Sequence, residues 1–223
     1  MVKAIVPRKP RLPEPVISNV VSTFRCGKVL NLRHFSQSYA CEFQPSRFAA
    51  ASIRRKERKG FRSTALAFTS GKFVITGCRS PLEALLASRK YISMLNRLGD
   101  ERLSFIDFNI QNIVSSVDMG YPLLIQEMLR QRTDTCSWER RKFPGLVFRD
   151  GVSKLVLLVF RSGKLVLTGA KSKRQITKEW PRLYNIIKKY RDTTPNASKC
   201  SREYAETLKK IEQKQHLEEL TMY

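Results

Sequence analysis

The sequence predicts an α+β fold built from two pseudo-symmetric repeats, and three observations carry that expectation. The frame F-x-S-G-K-x-V-x-T-G-x-(K/R) occurs twice, as FTSGKFVITGCR (Phe68–Arg79) and FRSGKLVLTGAK (Phe160–Lys171). Flanking segments match in the same order: ISNVVSTF (Ile17–Phe24) with IQNIVSSV (Ile110–Val117), and SRFAA (Ser46–Ala50) with KFPGL (Lys142–Leu146). Each copy then closes on a helical stretch, SPLEALLASRKYISMLNRLG in the first and SKRQITKEWPRLYNIIKKYR in the second. Two long copies exclude a short-period solenoid. The repeats span 16–99 and 100–191, between a basic, proline-rich tail (1–15) and a charged, helical extension (192–223).

Inside each repeat, β-branched and apolar runs bounded by turn residues read as strands. Ser-Gly at 70–71 and at 162–163 separates two such runs, as a hairpin turn does. Short helices are expected at Leu30–Gln37 and Leu123–Arg130. From Leu82 to Leu98 the apolar residues Leu82, Leu85, Leu86, Ile92 and Leu95 recur at helical spacing. Ser80 and Pro81 supply a cap and a first position, and Gly99 a stop. The second repeat offers Ile176, Trp180, Leu183, Ile186 and Ile187, with Pro181 expected as a kink or an early-turn residue. The tail over 201–220 reads as an amphipathic charged helix, with Tyr204, Leu208 and Ile211 on one side.

Composition narrows the function. The chain has 223 residues and 42% hydrophobic content, enough for one sizeable core or two small ones sharing a sheet. No apolar run reaches the roughly 18–20 residues of a membrane span, and the start lacks the apolar stretch of a secretory signal. The five cysteines are scattered without a C-x-x-C pair, and there are only two histidines. They read as free thiols in a reducing compartment rather than as a metal site. The formal net charge is +23. That self-repulsion calls for a polyanionic partner, nucleic acid ahead of an acidic membrane. The excess lies in the folded body, with a dense cluster in RRKERKGFR (Arg54–Arg62), because residues 192–223 are nearly balanced in sign.

The strands carry a second signal. Side chains alternate between the faces of a strand. Phe73 and Ile75 oppose Lys72, Val74 and Thr76; Leu165 and Leu167 oppose Lys164, Val166 and Thr168. Leu66 and Phe68 oppose Ala65 and Ala67, and Leu158 and Phe160 oppose Leu157 and Val159. Both faces are therefore apolar, yet the helices suffice to cover one. A bare apolar face marks an interaction surface; the alternative is a second sheet packed on it as in a sandwich. Asn, Thr and Lys mixed into these strands argue against a dry sandwich. An apolar, donor-bearing face rimmed with Lys and Arg suits a widened DNA minor groove, where A·T pairs present only acceptors and exposed phenylalanines can insert between base steps.

The ordered set I-x-N-x-V-S (twice), R-F-A-A, F-P-G-L, the S-G-K frame (twice) and FIDFNIQNIVSS resembles the TATA-box-binding protein family over about Val16 to Thr194. The resemblance implies a saddle: a curved antiparallel sheet of about ten strands on DNA, with helices on its convex face. It implies that Phe48 and Phe68 at one end, and Phe143 and Phe160 at the other, intercalate. Asn19, Asn112, Thr76 and Thr168 would meet acceptors at the centre of the site. Val21, Leu66, Val74, Val114, Pro144, Leu158 and Val166 would lie against the minor-groove floor. Arg47, Arg54, Ser70, Lys72, Arg149, Ser162 and Lys164 would contact phosphates. The implied function is a general initiation factor that binds and bends A/T-rich promoter DNA in the nucleus. Its partners would be initiation factors of the IIA and IIB type and TBP-associated factors. The strongly basic balance favours a eukaryotic cell, since archaeal relatives tend to be acidic. No cofactor, metal, membrane contact or small-molecule substrate is expected.

The chain departs from the family in places. Extra residues lie between Phe48 and Phe68, in ASIRRKERKGFRST, where they would lengthen a hairpin and add basic contacts. WERRK (Trp138–Lys142) stands where the family has YEPEL; Glu139 survives, but Arg141 replaces an acidic residue on the surface that meets a IIB-type factor. Ser46, Arg79 and Asn109 each stand where a lysine is common. On the back helix, Arg89, Lys90 and Arg97, with Lys188, Lys189 and Arg191 in the second copy, would meet acidic protein partners. Three other readings compete: an interaction scaffold or specialised paralogue with weakened TATA recognition, an enzyme, and a basic RNA binder. Retention of all four wedges opposes the first. No catalytic constellation supports the second, with His34 and His216 remote from partners and Asp107 structural at the seam. An A-form target does not reward apolar wedges.

Overall fold

The computed structural model describes residues 12–39, 41–56, 62–98 and 102–194. The predicted helix over 201–220, Gly99, Cys200 and most of both tails lie outside these residues. The elements run β1 (Val16–Arg25), α1 (Leu32–Ser38), β2 (Ala50–Lys56), β3 (Arg62–Phe68), β4 (Lys72–Cys78), α2 (Pro81–Leu98) and β5 (Ile106–Asp118). They continue as α3 (Ile125–Gln131), β6 (Cys136–Ser137), β7 (Leu146–Arg149), β8 (Val156–Val159), β9 (Lys164–Ala170), α4 (Lys173–Ile187) and a 3-10 turn (Lys188–Tyr190). All nine strands join one antiparallel sheet in the order β2-β3-β4-β1-β5-β9-β8-β7-β6. The expected tenth strand is reduced to a single bridge, Glu42 with Ser52, where the second repeat has the short β6 on β7.

The repeated S-G-K frame has a steric cause. Gly71 and Gly163 have φ of +75° and +86°. A Cβ on Gly71 would lie 1.9 Å from the Lys28 carbonyl oxygen, and one on Gly163 would lie 2.0 Å from that of Tyr121. Only glycine fits a left-handed turn pressed against another backbone segment.

The described residues form two compact units: those within Met1–Val16, Ser116–Leu167 and Ile176–Tyr223, and those within Ile17–Ser115 and Thr168–Gln175. In the second of these, Phe24 and Phe73 stack with centroids 4.8 Å apart, and Phe35 meets Phe73 edge-on at 6.3 Å. α2 packs on β3 and β4. Its buried stripe is Ala84, Ala87, Ser88, Tyr91, Ile92 and Leu95, whereas Leu82 and Leu86 are 65% and 48% exposed. The expected stripe is thus corrected at its first turns, where small residues face the sheet and let the helix approach closely. Tyr91 closes this contact by donating to the Ser63 carbonyl at 2.8 Å.

The other unit buries Leu146, Phe148, Leu155, Leu157, Val159 and Leu165 of its strands and hairpin, and Ile176, Trp180, Leu183 and Ile187 of α4. The Trp180 indole donates to the Pro13 carbonyl at 2.6 Å, tying the start of the described chain to α4. Pro181 lies inside α4, not in its first turn. The basic residues Lys188 and Lys189 stand beyond α4, in the 3-10 turn, followed by Arg191. Both long helices begin alike. The Ser80 hydroxyl accepts from Glu83 N–H at 3.1 Å while Glu83 accepts from Arg79 N–H at 2.8 Å. Ser172 and Gln175 repeat this, Ser172 accepting at 3.2 Å and Gln175 accepting from Lys171 N–H at 3.1 Å. Each is a reciprocal cap of the kind that satisfies free helix N–H groups. Asp150 anchors the β7–β8 hairpin, accepting from Arg182 at 2.5 Å and from the Ser153 amide at 2.8 Å.

Candidate nucleic-acid interface

The site grows from strand alternation. Along β1, β3, β4, β8 and β9 one set of side chains is buried: Val20, Phe24, Ala65, Ala67, Phe73, Ile75, Leu157, Val159, Leu165 and Leu167. The other set is half-buried and carries Asn19, Val21, Leu66, Val74, Thr76, Leu158, Val166 and Thr168; Asn112 and Val114 of β5 are half-buried as well. Within each unit, the predicted minor-groove residues on these strands thus lie opposite the buried side chains of their own strands.

Two asparagines on this face are locked in one orientation. Asn19 Oδ1 accepts from the Gly77 amide at 2.8 Å, and its Nδ2 lies 3.2 Å from Thr76 Oγ1. Asn112 Oδ1 accepts from the Gly169 amide at 2.8 Å, with Nδ2 2.9 Å from Thr168 Oγ1. Backbone N–H can only donate, so the carboxamide oxygen must face it and the NH2 must face away. One N–H of each NH2 meets the threonine hydroxyl, and the other remains to be offered. The T-G of the repeated frame thus leaves two amide N–H groups to be offered among the valines of this side.

The phenylalanines pair within each repeat. Phe48 and Phe68 meet edge-to-face with centroids 6.2 Å apart, and Phe143 and Phe160 do so at 5.8 Å. Phe48 is 51% and Phe143 37% exposed, too much for core residues of this size. Gly145 makes room for the second pair, since a Cβ there would lie 2.7 Å from Phe143 Cε1. Pro144, between them, is half-buried.

The basic residues divide. Ser70, Lys72, Arg149 and Lys164 are exposed, and Ser162 is half-buried. Arg54 pairs in register with Thr64, and Ser52 with Leu66, so Arg54 shares the Leu66 face. It also forms an exposed ion pair with Glu42 at 3.7 Å, a contact of the kind that contributes little and yields readily. Arg47 is exposed but engaged. The extra residues of the first repeat lengthen its hairpin: the β2–β3 ladder has partners from Ala50–Phe68 to Lys56–Arg62, against only Leu146–Val159 to Arg149–Val156 in β7–β8.

Residues assigned to protein partners lie elsewhere. Arg89, Lys90 and Arg97 are exposed on α2, with Arg89 6.0 Å over the Phe105 ring. Glu139 is already paired with Lys142 at 2.7 Å. Arg140 stacks 4.6 Å over Trp138, both lining a cavity of about 410 Å³ with Leu124, Ile125 and Arg161. Arg141 is exposed.

Sequence reasoning missed Arg25 and Thr23, which continue the Asn19–Val21 row along β1, and Gln111, which donates to Thr23 Oγ1 at 2.8 Å. Strand alternation carried two and four residues past Val21 would have placed Thr23 and Arg25. Gln111 depends on a contact across the sheet. Among the described residues, no group of three or more His, Cys, Asp and Glu side chains is arranged to hold a metal ion.

A twice-repeated α+β unit, whose strands bury one set of side chains and carry on the other side oriented amides and phenylalanine pairs with one exposed ring each, defines a class of sheet-faced recognition proteins. The chain belongs to the TATA-binding-protein family: the model of Transcription factor TFIID (or TATA-binding protein, TBP) matches residues 14–98 and 107–190. It is 40% identical over 180 residues to a TATA-box-binding protein of Acanthamoeba castellanii, covering 80% of this chain and 68% of that one. It is also 40% identical over 178 residues to one of Acetabularia peniculus, covering 79% of this chain and 91% of that one. The solved structure of Methanococcus jannaschii TBP matches with a TM-score of 0.65 at 30% identity, over 79% of this chain and 99% of that one.

Proposed function

We propose that this chain is a general transcription initiation factor that binds and bends A/T-rich, TATA-type promoter DNA through the minor groove and nucleates the pre-initiation complex in the nucleus. The observation that carries the reading is the pair of locked asparagines. Each offers an amide N–H where A·T pairs present only acceptors, and a guanine amino group would meet donor with donor. Around them Val21, Val74, Val114 and Val166 present apolar surface to the groove floor. The phenylalanine pairs act as wedges, and Arg54, Arg149, Lys72 and Lys164 neutralise phosphates. Unstacking a base step costs on the order of a few kcal/mol, which apolar burial and counterion release offset. Flexible steps such as TA deform at lower cost and so favour such sites without base-specific bonds. No chemistry on the DNA is part of this reading; the activity is binding and bending.

Factors of the IIA and IIB type and TBP-associated factors are the protein partners we propose. Glu139 and Arg141 would lie on the IIB side, and the α2 bases Arg89, Lys90 and Arg97 would meet acidic surfaces. A charge-reversed Arg89/Lys90 pair that left every such partner bound would overturn the α2 assignment.

The test of the function is end-to-end energy transfer on a labelled TATA duplex and a G·C-rich control across a salt series. A sharp bend on the TATA duplex alone is expected. Equal, unbent binding to both duplexes would instead leave a basic interaction scaffold.

A further inference from the structure

Arg25, the last residue of β1, stands directly opposite Lys72, the first residue of β4. Both are exposed and lie on the bare face, Arg25 in the row of Asn19, Val21 and Thr23, Lys72 in the row of Val74 and Thr76. Like charges directly opposite on antiparallel strands destabilise the pair. Among the described residues, neither is in an ion pair. Thr23, Phe24, Ser70, Asp107 and Asn109 complete the walls of a cavity of about 380 Å³ around them. Asp107 supplies the one carboxylate of that lining, so Arg25 and Lys72 leave it a net charge of +2 − 1 = +1. The Thr23 oxygen already accepts from Gln111, which leaves its proton to be donated.

The second repeat resolves the same position differently. Its residue matching Arg25 is Asp118, and Lys164 matches Lys72. The backbone frame is the same, with Cys26 N–H donating to the Gly71 carbonyl at 2.9 Å and Met119 N–H to that of Gly163 at 3.0 Å. One copy therefore sets a carboxylate across from its lysine, while the other sets a second cation there. Folding has no use for that repulsion, and an anion seated between the two cations removes it.

We propose that Arg25 is a further phosphate-contacting residue, and that with Lys72, Ser70 and Thr23 it forms a two-cation seat for one DNA phosphodiester that the second repeat lacks. This rests on the reading that the bare face takes DNA. The guanidinium can hold two phosphate oxygens in a fork, the lysine acts as a point charge, and the two hydroxyls donate. A binder with otherwise similar repeats gains from the seat a preferred direction on a duplex.

The experiment compares the full chain with Arg25→Gln and with Arg25→Asp, which copies the second repeat, on a TATA duplex across a salt series. The slope of log K against log salt should flatten by about 0.9 for Arg25→Gln, the contribution of one phosphate. One neutral methylphosphonate linkage, scanned along the duplex, should weaken the wild type at a position where Arg25→Gln is indifferent. The melting temperature of the free variant should hold or rise, since the cross-strand repulsion is relieved. An unchanged slope in Arg25→Gln, with the wild type binding and bending normally, overturns the seat alone, and a lowered melting temperature with that slope makes Arg25 structural. A wild type that neither prefers nor bends the TATA duplex overturns the DNA reading and the seat with it.

Discussion

The Asn112 amide nitrogen lies 2.9 Å from the Thr168 hydroxyl, and Asn19 stands in the same relation to Thr76 at 3.2 Å. In both, a glycine N–H holds the carboxamide oxygen, which makes the outward donor a property of the fold and not of the bound state. Asn112→Asp keeps an oxygen for Gly169 but replaces the donor with a negative charge. Its melting temperature should stay near wild type, while TATA affinity falls by roughly ten- to a hundredfold, the range of one polar readout contact. Equilibrium binding at fixed salt with A·T and G·C duplexes checks this; unchanged discrimination would remove the amide from recognition.

The wedges should separate bending from attachment. Phe143 and Phe160 meet edge-to-face at 5.8 Å. A phenylalanine stacked on a base contributes on the order of 1–3 kcal/mol. Phe143→Ala should therefore weaken TATA binding by about tenfold while reducing the bend by a larger share, because the base step at that end stays stacked. Energy transfer measures the bend and titration the affinity. A full bend in Phe143→Ala would show that this ring is not a wedge.

Gly163→Ala tests the steric account of the repeated frame. The new methyl would meet the Tyr121 carbonyl oxygen at 2.0 Å in a left-handed turn. Backbone must move, at a cost of about 2 kcal/mol or more. Denaturant unfolding should show a lowered midpoint. Gly151→Ala, with nothing within 4 Å of the added carbon, serves as the neutral control.

Acid should loosen the Asp150 anchor. Burial pushes its carboxyl upward, but hydrogen bonds from Arg182 and Ser153 outweigh that and hold it below its ordinary value of 3.8. A carboxyl depressed by folding stabilises the protein above its unfolded pKa, and that contribution is lost as pH falls through the folded value. Stability should thus decline below about pH 4. Asp192, held low by Thr194, titrates in the same window. Asp150→Asn should cost about 1–3 kcal/mol at neutral pH, because it removes the shorter of the two carboxylate contacts of Arg182 and leaves only Glu179 at 3.4 Å. It should also flatten the acid limb, and the difference between the two unfolding curves isolates Asp150 from Asp192. An equally steep limb in the variant would assign the acid sensitivity elsewhere.

Much of this was legible along the chain, because period and repetition are local properties. Alternation in GKFVITG places Phe73 and Ile75 in the core and Val74 and Thr76 opposite, since successive strand side chains must point apart. Repetition identifies the four phenylalanines and two asparagines as counterparts, and the charge of +23 points to a polyanion. Other features depend on which backbone segments come together. Leu82 and Leu86 fit a helical stripe, yet Ala84, Ala87 and Ser88 face the sheet, because close approach of α2 selects small residues that hydrophobicity alone ranks below leucine. The orientation of Asn19 comes from Gly77, far along the chain, and the necessity of Gly71 from Lys28. Arg25 reads as an ordinary strand-end cation until β4 sets Lys72 across from it, because electrostatic cost depends on distance in space, and the chain fixes that distance only when it folds.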